Sequence, residues 1–245
     1  MISDTQHRPW ALPNRRWAMA MDWHDLLFMH WPILPELLRP LIPPALAIDC
    51  FDGTAWIGVV PFRMSGVRPR YTPALPWMSA FPELNVRTYV ESDGKPGVWF
   101  FSLDAANPVA VWAARRSFYL PYYHARMTVE EVDGGFRYQS HRVHRRAPSA
   151  AFAGSYRPIA PVYHAAPGTL DHWLTERYCL YAADPRGRLY RGDIHHSRWP
   201  LQAAEAAIDV NTMTDAVGLN LPEMEPLLHF ASRLEVVAWH LTAVG

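Results

Sequence analysis

Eight residues, Glu83-Leu84-Asn85-Val86-Arg87-Thr88-Tyr89-Val90, alternate without a break between polar side chains and apolar or β-branched ones. Neighbouring side chains on a strand point to opposite faces. Leu84, Val86, Thr88 and Val90 therefore fall on one side, and Glu83, Asn85, Arg87 and Tyr89 on the other. The turn Ser92-Asp93-Gly94-Lys95-Pro96-Gly97 leads into a second strand-like run, Val98 to Leu103. Asn107-Pro108 reads as an N-cap followed by proline at the first helical position, opening a helix to about Phe118. Leu120-Pro121 stops it, and Tyr122 to Val132 resumes as a strand. The polar row has two readings. Outward, it is the solvent face of an antiparallel strand. Inward, a glutamate and an arginine on one row must pair or meet a ligand, while Asn85 and Tyr89 offer directional hydrogen bonds. The alternation alone leaves both open.

The rest of the chain has the same punctuation. Residues 1–16 read as a loose polar arm, and Trp17 to Trp31 as a buried strand with an irregular connection. Pro35 to Leu41 forms a short helix ended by Pro43-Pro44. Leu46 to Phe51 and Ala55 to Met64 are strands about Asp52-Gly53, and Gly66 to Pro82 is a long ordered loop. Val129 to Val143 turns about Asp133-Gly134-Gly135, and Arg145 to Pro161 is loop-like. Leu170 to Glu176 is helical and runs into the strand Arg177 to Tyr181. Asp184-Pro185-Arg186-Gly187 turns into Leu189 to Ser197. Trp199 to Val210 fits strand or helix, 211–227 holds a last helical segment, and Ser232 to His240 a last strand. No βαβ rhythm, repeat or linker shows. The reading is a single domain over 1–245, mainly β (α+β), with many antiparallel strands and a few short helices.

Half of the 245 residues are apolar and the formal net charge is zero, so a sizeable core forms and nothing signals disorder. A neutral balance gives no footprint for nucleic acid or an anionic membrane. No stretch reaches 18 uncharged apolar residues, and the N-terminus carries no signal-peptide h-region, so a cytoplasmic protein without a membrane span is expected. Cys50 and Cys179 stand far apart in no CxxC pattern. Lys95 is the single lysine, which narrows the chemistry available.

Several stretches resemble the acetoacetate decarboxylase-like superfamily, and more closely its YqjF-like branch. Pro35 to Arg39, Ile42-Pro43-Pro44 and Leu46 to Asp49 are similar to the superfamily's short helix and strand entry. Asp52 to Gly58, Val60 to Met64, Glu83 to Val90, Gly97 to Leu103, Glu176-Arg177-Tyr178 and His196 to Leu201 resemble the YqjF-like branch, in the same order along the chain. The resemblance implies an antiparallel β barrel or cone around a central cavity, with a homo-oligomer left open. In the decarboxylases a Pro-Lys-Lys segment supplies a Schiff-base lysine whose neighbour lowers its pKa. The corresponding residues here are Pro121-Tyr122-Tyr123, so the proline is kept and both lysines are replaced. Lys95, at a hairpin tip, is no substitute. The superfamily's active-site glutamate matches Glu83. The first-strand arginine that meets the substrate carboxylate has no counterpart, and His24 is the nearest position.

Twelve histidines invite a metal reading, but His195-His196 point apart, His141 and His144 diverge, and no HxxxH or CxxC spacing occurs. No metal or cofactor is expected. A GxSxG elbow, GxGxxG and a P-loop are also absent. Trp77, Phe81, Tyr122 and Tyr123 are candidates to line an apolar pocket with hydroxyls at its rim. Arg115 and Arg116 are a solvated pair, or one of them turns inward as an anion clamp. The expected site is thus Glu83 as acid or base, with Asn85, Arg87, Tyr122, Tyr123, Arg116 and His24 as ligand contacts. Two functions fit: a small-molecule enzyme without Schiff-base chemistry, and a non-catalytic protein that holds a small organic ligand, carboxylated or not. A structural oligomer component explains the polar row least well.

Overall fold

A computed structural model describes residues 4–75 and 78–244. Thirteen strands dominate: β1 (Met19–Ile33), β2 (Ala47–Ile48), β3 (Ala55–Pro69), β4 (Phe81–Ser92), β5 (Lys95–Ala105), β6 (Tyr122–Val132), β7 (Gly135–Arg142), β8 (Ala151–Pro158), β9 (Cys179–Ala183), β10 (Leu189–His196), β11 (Leu201–Asn211), β12 (Leu227–Ala238) and β13 (Thr242–Ala243). The helices are short: α1 (Pro35–Leu38), α2 (Pro108–Phe118) and α3 (Leu170–Thr175), with single 3-10 turns at Arg39–Leu41 and Asp215–Val217. The fold is mainly β, as the hairpin signals require.

From β5 the pairings run through β6, β7, β8, β11, β12, β1 and β3 to β4, and β4 pairs back with β5. The circuit closes through two short overlaps, β5–β6 over Leu103–Ala105 with Tyr122–His124 and β11–β12 over Leu201–Ala203 with His229–Ala231. Pairings are antiparallel except β5 with β6 and β5 with β9. The β5–β6 pair is parallel because α2 carries the chain back to the start of the next strand. Asn107 caps α2, its side chain accepting hydrogen bonds from the Val109 and Ala110 amides, with Pro108 at the first helical position.

Both faces of β4 are buried, whereas β6, β7 and β11 each keep one face partly exposed. Leu84, Val86 and Val90 of β4 join a cluster with Leu27, Met29, Tyr138 and Phe152. Phe81 joins a second cluster with Leu26, Phe28, Val60, Phe62, Leu103, Tyr122 and Trp199. These clusters share strands and lie on opposite faces of them. The polar row of β4 therefore points inward, toward the second cluster, and the solvent-face reading fails.

Four expectations are corrected. The 145–161 stretch contains β8, whose Phe152, Gly154 and Tyr156 alternate inward while β7 and β11 supply the ladder partners. Its Ala, Gly and Ser content hides the strand from propensity. Residues 211–227 hold only the 3-10 turn at Asp215–Val217 before β12 begins. Strand β3 extends to Pro69, so the loop after it is shorter than expected. The N-terminal arm is docked rather than loose: Arg8 donates to the Ile194 carbonyl at 2.6 Å, and Trp10 to Asp193 at 3.2 Å.

Candidate functional site

Asn85 lies opposite Val60 on β3 and Leu103 on β5, and Leu103 lies beside Tyr122 on β6. Residues in register share a face, so the parallel β5–β6 pairing delivers Tyr122 to the polar row. Tyr123, one residue on, must point the other way. The Tyr122 hydroxyl donates to Glu83 Oε2 at 2.8 Å. Arg115, near the end of α2, donates to the Tyr122 carbonyl at 2.7 Å and fixes where β6 starts.

Glu83 is 2% exposed. Among the described residues, Tyr122 is the sole hydrogen-bond donor to its carboxyl. Burial disfavours the carboxylate and raises the pKa to about 8, with the Tyr122 hydrogen bond opposing and the nearby Asp104 charge assisting. At neutral pH this carboxyl is mostly protonated. Tyr122 is pushed well above its ordinary value by burial and by Glu83, so it stays a donor.

The far end of the row is differently charged. Arg87 lies opposite Gly58, and the missing Cβ there leaves room for the Arg87 stem and the His30 ring over the same backbone. The Arg87 guanidinium stands over Phe28 at 5.1 Å and over Tyr89 at 5.8 Å. Among the described residues no carboxylate lies within ion-pair distance of it, and its Nε is buried without a partner. His30 is fully buried, hydrogen-bonded through Nε2 to the Tyr89 hydroxyl at 2.7 Å. Burial, then the charge of Arg87, holds its pKa well below the ordinary imidazole value. The Asn85 Oδ1 and His30 Nδ1 atoms are also buried and unpartnered. Phe28, Phe62 and Trp199 form the apolar surroundings, with Phe28 and Trp199 edge to face at 4.9 Å.

Of the sequence-derived site residues, Glu83, Asn85, Arg87 and Tyr122 come together on one face. Tyr123 does not: its ring covers Arg142 at 4.2 Å on the opposite side of the sheet. Arg116 is exposed on α2. His24 pairs with Ser65 at 2.7 Å, between Arg63 and Arg233 on the neighbouring strands. The reason is a bulge. Asp25 adopts φ 53° and the β1–β3 register shifts there, so Leu26, Phe28 and His30 join Met21 and Trp23 on the face that His24 leaves. His30 is the residue that sequence reasoning missed, because no local signal marks that bulge. Trp77 lies outside the described residues, and Phe81 is buried in the second cluster.

No group of three metal-ligating side chains occurs among the described residues, and no helix among them is long and apolar enough to cross a membrane. A groove of about 790 Å³ is walled by β6, β7, β8 and Val210, and no β4 residue lines it.

The DUF2071 family, described as an uncharacterised conserved protein, matches residues 20–235. The chain belongs to this family. It is 48% identical over 241 residues to the uncharacterised protein YqjF of Bacillus subtilis (strain 168), covering 98% of both chains. Among solved structures it is similar to acetoacetate decarboxylase from Legionella pneumophila, with a TM-score of 0.65 at 11% identity over 96% of this chain and 93% of that one. The enduracididine biosynthesis enzyme MppR complexed with pyruvate gives 0.63 at 13% identity over 93% and 90%. Likeness at this identity establishes the acetoacetate decarboxylase-like fold alone.

Proposed function

We propose that the interior face of β4 binds a small organic carboxylate and presents the Glu83 proton to it, with no imine formed. The observation that carries this reading is Arg87: a guanidinium in an aromatic setting, without a carboxylate partner, beside buried polar atoms that nothing satisfies. Buried polar groups are normally paired, and an arginine fork is suited to a carboxylate. At the other end of the row, a carboxyl that keeps its proton near neutrality is matched to general acid work. The solved neighbours include an enzyme whose structure holds pyruvate, a small carboxylate, which agrees with the ligand class.

Schiff-base chemistry finds no lysine here. Lys95 pairs with Ser92 at one end of the β4–β5 hairpin, while Glu83 pairs with Ala105 at the other. That separation is roughly 30 Å along the strands. Borohydride added to the protein with acetoacetate or pyruvate is expected to leave the intact mass unchanged. A trapped adduct on Lys95 that abolished binding would refute the mechanism.

The test of the site is titration calorimetry with short organic acids against wild type and Arg87→Gln. Loss of a charge-assisted contact of about 1.5–3 kcal/mol predicts a roughly 10- to 100-fold weaker Kd in the variant. Equal affinities would remove Arg87 from the site. A Glu83→Gln variant that keeps the affinity and never loses a turnover would leave the non-catalytic binding protein as the reading.

A further inference from the structure

The ligand of this interior site can be narrowed by asking which protons its unpartnered atoms lack, an argument that rests on the carboxylate site proposed above. The Tyr89 hydroxyl has one proton and two near neighbours, the Leu174 carbonyl at 2.8 Å and His30 Nε2 at 2.7 Å. A carbonyl oxygen can only accept, so that proton goes to Leu174. His30 must then donate from Nε2, and the imidazole, held neutral by its burial, carries a bare lone pair on Nδ1. The Cδ2–Nε2 edge of the ring lies against Gly58, 3.0 and 3.1 Å from where a Cβ would stand. Nδ1 is the ring atom opposite that edge. It is fully buried and unpartnered.

On the Nε2 side of the same ring, Arg87 shares both Gly58 and the Tyr89 hydroxyl with His30, its terminal nitrogen 3.5 Å from that hydroxyl, and its Nε–H is an unpartnered donor. The pair presents one cation that wants an anion and one lone pair that wants a proton. An unsubstituted carboxylate satisfies only the first. A 2-oxo acid brings a second acceptor against the Nδ1 lone pair. A 2-amino acid brings the needed protons on an ammonium, but Arg87 and Arg177 already make this region cationic and Glu83 is mostly neutral. A hydroxyl on the carbon next to the carboxylate supplies a neutral donor beside the anion.

We infer that the site selects a short 2-hydroxy carboxylate, with Arg87 holding the carboxylate and His30 Nδ1 accepting the hydroxyl proton. His30 is on this account a specificity-determining residue. Arg87 keeps partial exposure, which leaves its end of the row open for entry.

Calorimetric titration of the wild-type protein with lactate, pyruvate, propionate and alanine tests the inference directly. Lactate should bind at least about tenfold more tightly than propionate or pyruvate, since a site built to hydrogen-bond a hydroxyl rejects analogues that leave its own group unpaired. His30→Phe should bring the lactate-to-propionate ratio toward one, while Arg87→Gln weakens both acids and preserves their ratio. If the three acids bind with equal affinity, or pyruvate binds best, the hydroxyl selection is wrong and the carboxylate site stands. If none of them binds, both the site and the selection fall. Should His30→Phe not fold, the wild-type ratios decide alone.

Discussion

Arg142→Ala is expected to lower the stability of the fold by about 3–5 kcal/mol, because it strands a buried carboxylate. Asp104 is completely buried and Arg142 nearly so, and the guanidinium grips both carboxylate oxygens at 2.7–3.0 Å. The position of the pair explains why it matters. Asp104 is on β5 and Arg142 on β7, so the contact spans β6 and clamps the parallel β5–β6 junction, whose register covers only Leu103–Ala105 against Tyr122–His124. Tyr123 lies over the guanidinium at 4.2 Å and excludes water from it. Removing the carboxylate together with the cation, as Asp104→Leu with Arg142→Leu, should recover most of the loss, since the uncompensated charge and not the absent pair is the main cost. Urea unfolding midpoints of the three proteins measure this. A loss below about 1 kcal/mol for Arg142→Ala would mean that the pair is solvated and that the junction does not depend on it.

This ion pair also shows where the sequence stops being informative. The alternation from Glu83 to Val90 correctly groups Glu83, Asn85 and Arg87 on one face, because a strand's period of two is a local property. The direction of that face is not local. It follows from two clusters that cover β4 on both sides, one shared with β7 and β8 and the other with α2, β9 and Trp199, and a strand buried on both faces can still alternate when one side carries a polar row. The Tyr122-Tyr123 pair was legible only as a pair. Which tyrosine meets Glu83 is set by the register of Leu103 against Tyr122, and the other is released to cover Arg142. His24 was drawn into the site by its sequence position and put out of it by the bulge at Asp25, which hands the place to His30. The resemblance to the decarboxylase-like fold could not reveal these exchanges, since it transfers positions along the chain and not the phase of a strand. The 145–161 stretch was illegible for a different reason. Glycine, serine and alanine form a strand there because β7 and β11 pair with them on either side, a long-range contribution that outweighs their weak preference.

Glu83→Gln is expected to be as stable as wild type near pH 5 and more stable near pH 9. The folded protein holds the Glu83 proton up to a pKa of about 8, while the unfolded chain releases it near the ordinary value of 4.5. Between those values the native state carries a proton that the unfolded state lacks, so this group's contribution is complete below about 4.5 and is lost as pH rises through about 8. A gap of that size corresponds to roughly 5 kcal/mol at most. Glutamine resembles the protonated carboxyl in shape, accepts the Tyr122 hydrogen bond and does not titrate, so it lacks this loss. The comparison between the two proteins removes the histidines and other carboxylates that titrate over the same range. Tyr122→Phe supplies the matching control: without its hydroxyl the hydrogen bond that favours the carboxylate is gone, and the window should move to still higher pH. Denaturant unfolding of the three proteins at intervals from pH 5 to pH 9 reads the effect. Parallel stability curves for wild type and Glu83→Gln would show that Glu83 is ionised throughout, and its assignment as a proton donor at neutral pH would be lost with the curve.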